Sequence, residues 1–216
     1  MSMVTDSTRR IYHITHMDNL ASIVQSGGLE SDAKRAASAS GTQEIGMSTI
    51  KQRRTANPVA VNPGTTVADY VPFYFCPRSI MLYVIHRGNH PELHYKGGQE
   101  PILHLSAELS VVLAWLQKSG VRWAFSNANA GSTYARFSNN AQEIATLDWA
   151  AIGARDFRDP SVKEGKQAEF LVFGTFPFGL FDMIGVFNQA VAERVTQALH
   201  GRSGLPQVAV RPRWYY

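Results

Sequence analysis

The chain has 216 residues, a single cysteine and a formal net charge of +4, and 44% of its residues are hydrophobic. This length suits one domain, residues 1–216, with a core large enough to be stable without disulfides. A single cysteine excludes an internal disulfide and any zinc site built on several cysteines, and it suits a reducing compartment. The sequence shows neither a signal peptide nor an apolar run of about 20 residues, so we expect a cytoplasmic protein that does not bind a membrane.

The first predicted elements are a short strand and a helix. Residues 11–15 are mostly β-branched or aromatic, which is typical of a strand. Asp18 is suited to cap a helix, and the apolar spacing after it ends at Gly27 and Gly28, where a helix is expected to stop. For His13 the pattern leaves two interpretations open: a partly buried strand histidine with a satisfied hydrogen bond, or a histidine that contacts a ligand.

Two long stretches of the chain are weakly patterned. Residues 31–68 are rich in small and polar residues and carry several basic ones. Residues 127–166 are also polar, apart from a helix-like piece at 141–152. A compact domain rarely keeps such stretches unless they are functional or mobile. Both are therefore candidates for functional segments.

The remaining sequence alternates between strands and helices without a regular order. Residues 69–88 are dense in aromatic side chains, and residues 168–177 are the clearest strand. Further strands are predicted at 100–105, 121–127, 182–188 and 207–216, and helices at 106–120 and 189–200. No repeat is present and no glycine-rich fingerprint follows a strand, which predicts a single mixed α+β domain and not a doubly wound one.

Three histidines are spaced like metal ligands on one helix face. His86, His90 and His94 follow one another at intervals of four residues. Gly88 and Pro91 interrupt any helix at this place, which removes the geometry that a shared metal would need. We therefore interpret this segment as a surface loop and expect no metal site.

Two charged positions stand out, and each has two interpretations. Glu169 begins an apolar strand. It is either a solvent-facing carboxylate that contributes little to the core, or a carboxylate held at the edge of a cleft. Arg53 and Arg54 form either a solvated basic turn or a clamp for an anion.

Longer segments of the sequence resemble a known family. IYHITHMDNL, QRR, DYVPFYFCPRSIMLY, GGQEPILHL, ARF, LDWAAI, KQAEFLV and WYY occur in this order along the chain. In their order and spacing, from about Arg10 to Tyr216, they resemble the DarT family of bacterial toxins, which ADP-ribosylate single-stranded DNA. The resemblance implies an ADP-ribosyltransferase fold, in which a split central mixed sheet is flanked by helices.

The resemblance also implies a set of residues that bind and activate NAD. Glu169 matches the catalytic glutamate of the family and Arg54 its catalytic arginine. Residues from about 36 to 57 match the element that covers NAD. The positions that match NAD-binding residues are His13, Ile14, Thr15, Asn19, Ser22 and Arg54.

A second implied segment recognises the DNA. Residues from about 125 to 169 match the turn-turn loop that selects the substrate in this family. Within and around it, the residues we expect to bind DNA are Arg53, Asn127, Tyr134, Arg136 and Lys166. The centre of the loop, SNANAGSTYARFSNN, departs from the family pattern, so the preferred DNA sequence is not predicted.

The implied reaction explains these residue types. Nicotinamide leaves NAD as a neutral molecule while the ribose passes through an oxocarbenium-like state, which a carboxylate such as Glu169 stabilises. The attacking ring nitrogen of thymine carries a proton at neutral pH, so some group must remove or offset that proton. Arg54 is either the base that accepts it or an electrostatic clamp for the thymine anion or the NAD phosphates. We favour the clamp, because arginine is effectively always protonated.

The resemblance to the family also predicts the function. The resemblance implies a toxin that transfers ADP-ribose from NAD to a thymidine base of single-stranded DNA, in a sequence-dependent way, and releases nicotinamide. NAD is a co-substrate, and the implied partners are single-stranded DNA and a macrodomain antitoxin that removes the modification. We expect a monomer. Two alternatives stay open: an enzyme of this fold that modifies protein or RNA or only hydrolyses NAD, and a catalytically silent module that binds NAD or DNA.

Overall fold

The structure, a computed structural model, describes residues 9–38 and 43–216. Its strands are β1 (Arg10–His16), β2 (Gly28–Glu30), β3 (Tyr70–Tyr74), β4 (Ile102–Glu108), β5 (Trp123–Ser126), β6 (Phe137–Ser138), β7 (Glu169–Phe173), β8 (Thr175–Pro177), β9 (Met183–Val186) and β10 (Gln207–Val210). Its α-helices are α1 (Leu20–Gln25), α2 (Asp32–Ser38), α3 (Ser48–Ala56), α4 (Ile80–Arg87), α5 (Leu109–Ser119), α6 (Trp149–Gly153), α7 (Pro160–Gly165) and α8 (Gln189–Ala198). Short 3-10 helices cover Met17–Asn19, Val67–Asp69, Ala141–Thr146, Phe178–Leu180 and Pro212–Trp214.

The strands form one large mixed sheet and one small sheet. Within the described ranges, the large sheet has eight strands in the order β10-β9-β4-β1-β3-β7-β5-β6, and β2 pairs with β8 in the small one. The β9–β10 pair is parallel, whereas the other pairs of the large sheet are antiparallel. Strands and helices are both abundant and do not alternate regularly. The predicted α+β class is therefore confirmed.

The large sheet is divided between β1 and β3. Tyr12 and Tyr74 are the only residues registered across this junction in the described chain, whereas seven pairs join β1 to β4 on its other side. Pro72 lies in β3 beside this junction, and its carbonyl accepts a hydrogen bond from Nδ1 of His13 at 2.8 Å. The N–H and C=O groups of a strand residue point to the same side, so the N–H that proline lacks also faces β1. The split sheet implied by the resemblance is thus visible as this weak junction.

Three predicted elements differ clearly from the structure. The strand predicted at 207–216 ends at Val210, and a 3-10 helix at Pro212–Trp214 follows it. The helix predicted at 106–120 begins only at Leu109, because Ser106 pairs with both Tyr12 and Met183 in the sheet. The strand predicted at 168–177 is divided into β7 and β8 by Gly174, whose φ is 71°. This left-handed conformation turns the chain toward β2, and glycine adopts it without a steric penalty.

The polar stretch from 127 to 166 contains more regular structure than its pattern predicts. The helix-like piece at 141–152 is a 3-10 helix followed by α6, and Asp148 separates them by accepting a hydrogen bond from the Ala151 amide at 2.8 Å. A further helix, α7, begins at Pro160, and Asp159 caps it. Asparagine and aspartate caps favour several short helices over one long one. None of the helices in the described ranges has the length and apolar character needed to cross a bilayer.

Candidate active site

A cavity of 430 Å³ opens at the junction between β1 and β3. Pro72 and Tyr74 of β3 form part of its wall, and the segment from 43 to 46 with Lys51 forms another part. The wall also includes every residue outside α3 that the resemblance implies for NAD binding, namely His13, Ile14, Thr15, Asn19 and Ser22. These residues come from the end of β1 and from the 3-10 helix and α1 that follow it, so one continuous stretch of chain builds this wall.

His13 is neutral at physiological pH and has a fixed tautomer. Its Nδ1 donates to the Pro72 carbonyl, so the proton is on Nδ1 and Nε2 is left as an acceptor. Burial lowers the pKa of His13 to about 4, against the raising effect of the Pro72 hydrogen bond. His13 therefore offers the cavity an uncharged hydrogen-bond acceptor.

Asn19 holds the covering segment next to the cavity. Its Oδ1 accepts from the Gln43 amide at 2.7 Å, while its Nδ2 donates to the Gln43 carbonyl at 2.9 Å and to Oγ1 of Thr15 at 3.1 Å. On the far side of the segment, Lys51 pairs with Glu44 and lies 3.9 Å from Asp32 of α2. Residues 39–42 of the predicted element 36–57 lie outside the described residues. The described part contains α3, which carries Arg54.

Arg54 and Glu169 form a buried ion pair. Glu169 is 2% exposed and Arg54 7% exposed. Nη1 of Arg54 donates to Oε2 of Glu169 at 2.9 Å and to Oε1 at 3.3 Å. The solvent-facing interpretation is wrong for both residues, because β7 lies inside the sheet and α3 covers its first residue.

The electrostatics of this pair keep Arg54 protonated. Burial lowers the pKa of the guanidinium, but the charge of Glu169 and the hydrogen bonds to it outweigh burial, and the net pKa is raised. Nη2 of Arg54 is buried and has no hydrogen-bond partner in the described chain. A buried N–H group without a partner is costly, and a substrate oxygen would satisfy it.

Tyr74 connects the cavity with the ion pair, and the sequence patterns did not single it out. It lines the cavity and is the direct cross-strand neighbour of Glu169 in the β3–β7 ladder. Directly opposed residues project from the same face of a sheet. Burial and the nearby Glu169 raise the pKa of the Tyr74 hydroxyl, so it remains protonated. Its place in an aromatic run suggested core packing and gave no sign of this neighbour.

The predicted DNA-binding residues fall into three groups. Arg53, Arg136 and Tyr134 have solvent-exposed side chains, and that of Tyr134 is 83% exposed. Asn127 closes the base of the β5–β6 loop, since its Oδ1 accepts from the Arg136 amide at 2.9 Å. The third group is Lys166 alone, whose side chain is buried.

Lys166 does not have the exposed position that was predicted for it. It is 3% exposed, and its Nζ donates to the Ile152 carbonyl at 2.8 Å. The same nitrogen lies 3.6 Å from Sγ of Cys76. The ammonium group therefore caps the end of α6 inside the protein and is not available for a phosphate. The prediction that Lys166 binds DNA is wrong for this physical reason.

In residues 9–38 and 43–216, no three His, Cys, Asp or Glu side chains are grouped so that they could hold an ion. Helix α4 contains His86 and ends at Arg87, where Gly88 has a φ of 62°. His90 and His94 therefore do not share its helix face. The ion pair and the cavity beside it remain the candidate site.

The resemblance to the ADP-ribosyltransferases, enzymes that take ADP-ribose from NAD, implies a split mixed sheet and a glutamate at the start of a strand, and the structure has both features. The profile of the family "ssDNA thymidine ADP-ribosyltransferase, DarT" matches residues 12–216. The chain belongs to this family and is an NAD-dependent DNA ADP-ribosyltransferase.

Relatives and solved structures agree with this assignment. A DNA ADP-ribosyl transferase of Thermus sp. (strain 2.9) is 42% identical over an alignment of 213 residues, and the match covers 95% of this chain and 95% of the relative. The structure of Thermus sp. 2.9 DarT in complex with ADP-ribosylated ssDNA superposes with a TM-score of 0.86 at 40% identity and covers 96% of both chains. The structure of that protein in complex with NAD+ has a TM-score of 0.79 at 38% identity and covers 98% of both chains.

Proposed function

We propose that this protein transfers ADP-ribose from NAD to a thymidine base of single-stranded DNA, with NAD in the cavity between β1 and β3. The observation that carries the proposal is the buried Arg54–Glu169 pair next to a 430 Å³ cavity whose wall includes His13 and Tyr74. A carboxylate fixed in a dry site next to a cavity is suited to stabilise a developing ribosyl cation. Glu169 is therefore the catalytic carboxylate in this proposal.

His13 and its neighbours bind the cofactor in this proposal. The neutral imidazole presents Nε2 as an acceptor, which suits an N–H or O–H donor of NAD better than an imidazolium would. Thr15 and Asn19 also line the cavity, and their side chains bond to each other. Their main role is to hold β1 and the covering segment at a fixed separation around the cofactor.

Arg54 acts as an electrostatic clamp and not as a base. Its raised pKa leaves no lone pair to accept a proton at neutral pH. Nη1 holds Glu169, and the unpartnered Nη2 is available for an oxygen of thymine or of NAD. One planar guanidinium can thus hold the catalytic carboxylate and a substrate oxygen at the same time.

The exposed part of the β5–β6 loop receives the DNA. Tyr134 offers a ring on which a base can stack, and Arg136 and Arg53 offer charges for phosphates. The net charge of +4 is small, so these local groups and not a broad basic surface provide the phosphate contacts. A paired thymine hides its reacting ring nitrogen, which explains a preference for single strands.

The biological setting follows from the reaction. A bulky ADP-ribosyl group on the ring nitrogen that thymine uses in base pairing blocks pairing, which harms the cell unless another enzyme removes the group. We therefore place the protein as the toxin of a toxin–antitoxin pair, with a macrodomain antitoxin as its partner. The protein acts as a monomer in this proposal, because the residues proposed for catalysis come from one chain.

The experiment is mass spectrometry of a thymidine-containing single-stranded oligonucleotide after incubation with NAD. The wild type should add one ADP-ribosyl group on the thymine base and release an equal amount of nicotinamide. The isosteric variant Glu169→Gln should give neither product. Labelling of RNA or protein pools in preference to the oligonucleotide would overturn the substrate, and transfer by folded Glu169→Gln would overturn the site.

A further inference from the structure

Residues 129–132 of the β5–β6 loop form a tight turn that packs inside the protein. Ala130 is fully buried. Oδ1 of Asn129 accepts from the Gly131 amide at 2.9 Å, and its carbonyl accepts from the Ser132 amide at 2.9 Å. These bonds fix the backbone of residues 129–132, which we call the inner turn. The exposed Tyr134 lies only two residues further along the chain.

The inner turn contacts both members of the ion pair. The Ala130 amide donates to Oε1 of Glu169 at 2.9 Å. A Cβ atom placed on Gly131 would lie 3.6 Å from Cγ of Arg54, so the turn packs directly against the arginine side chain. Oε1 of Glu169 therefore accepts a hydrogen bond from the main chain of the inner turn. Arg54 lies closer to the other carboxylate oxygen, Oε2, than to Oε1.

Asn57 holds the inner turn from the opposite side. It follows α3 directly, and its amide still bonds to the Arg53 carbonyl at 3.1 Å. Its Nδ2 donates to the Ala130 carbonyl at 2.6 Å and to the Ser132 carbonyl at 3.2 Å. One side-chain amide therefore links two carbonyls of the inner turn, those of Ala130 and Ser132, to the end of the helix that carries Arg54.

These contacts close a ring of hydrogen bonds through three distant parts of the chain. The ring runs from Arg54 to Glu169, from Glu169 to the Ala130 amide, and from the Ala130 carbonyl to Asn57, three residues after Arg54. Polar groups in such a network restrict one another's positions. A change at any member is passed on to the carboxylate oxygens of Glu169.

We propose that Asn57 is a positioning residue, which fixes the inner turn so that the Ala130 amide holds Glu169 in its reactive orientation. This inference rests on the catalytic role proposed for Glu169. The Asn57 side chain donates two hydrogen bonds to the inner turn, so its effect on Glu169 passes through the turn. It also places the exposed DNA-binding part of the loop in register with the carboxylate.

The test compares Asn57→Ala with Asn57→Asp in steady-state transfer to the oligonucleotide. Asn57→Asp keeps the size of the side chain but replaces the donating amide by a carboxylate, which cannot donate to two carbonyls. Both variants should lose about tenfold or more in kcat, since small displacements of a catalytic group have effects of this order. The KM for NAD should change less than about twofold, because the cavity wall is intact.

Asn62 provides the matched control. Its Nδ2 also donates to a main-chain carbonyl, that of Trp123 at 2.9 Å, and it belongs to the segment that follows α3. Asn62→Ala should lower the melting temperature, as Asn57→Ala does, but leave kcat per folded molecule unchanged. A positioning role and a general loss of stability therefore give different results.

Each outcome decides the inference. Wild-type kcat in Asn57→Asp, or an equal fall of kcat in Asn62→Ala, would overturn the positioning role. If Asn57→Ala fails to fold, the near-isosteric Asn57→Asp carries the test alone. Full activity in the Asn57 variants alongside an inactive Glu169→Gln would overturn only this inference, whereas an active Glu169→Gln would overturn the proposed catalytic role itself.

Discussion

The β1–α1 wall of the cavity and the Arg54–Glu169 pair lie side by side but are held in place by different interactions. Along the wall, neutral polar groups are satisfied by main-chain atoms, as when His13 donates to Pro72 and Asn19 bonds to Gln43. At the pair, two full charges are buried and satisfy each other. Removing one wall group leaves a small neutral defect, whereas removing one charge leaves its partner buried and unpaired. The wall should therefore tolerate substitution far better than the pair.

The largest expected effect follows from breaking the pair. Glu169→Ala should reduce transfer by about 100-fold or more, the scale of losing one preorganised electrostatic stabiliser. It should also lower the free energy of unfolding by about 3–5 kcal/mol, because Arg54 stays charged and buried without a partner. A solvent-facing glutamate would have had little effect on stability. Urea unfolding and oligonucleotide labelling measure the two quantities.

A double variant separates the cost of one unpaired buried charge from the loss of catalysis. Arg54→Met combined with Glu169→Leu replaces both charges by apolar groups of similar size, which is often neutral or stabilising at buried pairs. Its free energy of unfolding should exceed that of Glu169→Ala, while its transfer activity should remain absent. Equal stability in the two variants would show that the pair is better solvated than its burial indicates.

The next effect concerns the shape of the charge at position 54. Arg54→Lys keeps a positive charge but has no planar fork to bond Glu169 and a substrate oxygen together. We expect a loss of transfer of about tenfold or more, close to that of Arg54→Ala. A pH–rate series at saturating NAD checks the clamp: near-wild-type transfer by the lysine variant, or an ionisation that is present only with arginine, would contradict it.

A smaller effect is expected at the wall. His13→Ala removes the neutral acceptor from the cavity and should weaken NAD binding by about tenfold, the order of one or two lost hydrogen bonds. Calorimetric titration with NAD measures it. The melting temperature should fall less than in Glu169→Ala. Unchanged affinity with a large loss of stability would instead support a purely structural histidine.

The last effect is the dependence of stability on pH. Burial lowers the pKa of His13 and of His104 to about 4, from an ordinary value of 6.5. Between these values the unfolded chain binds more protons, so the free energy of unfolding should be highest above pH 6.5 and fall as the pH drops toward 4. The difference between pH 7 and pH 5 should shrink in His13→Gln. An undiminished difference would assign the effect to other groups.

The sequence was informative about the wall and much less so about the pair. His13 to Ser22 lie within one strand and the helix after it, so local patterning already predicted both elements. Arg54 and Glu169 are 115 residues apart, and no periodicity brings such positions together. Only the resemblance to a family linked them. The sequence also gave no sign of what covers each residue, which is why Glu169 could be interpreted as solvent-facing and Lys166 as a DNA contact.

The predicted limits of some strands and helices were wrong for a related reason. The sequence Ser-x-Glu at 106–108 is typical of a helix start, but the two sheet partners of Ser106 lie far away in the sequence. The inner turn was missed because a small, polar stretch resembles any exposed loop. Its buried alanine becomes meaningful only when Glu169 and Asn57 are seen on either side of it.

Pro72 gives the cleft a property that depends on covalent structure and not on packing. A residue with an amide hydrogen at this place in β3 could extend the ladder toward β1, and each further bond would draw the two strands together. Proline has no such hydrogen, and its carbonyl is already engaged by His13. In the proposed mode of binding, NAD does not have to separate paired strands before it enters, and less of its interaction energy is lost to reorganising the protein. Because Pro72 has no amide hydrogen, the cleft between β1 and β3 is preorganised before any ligand binds.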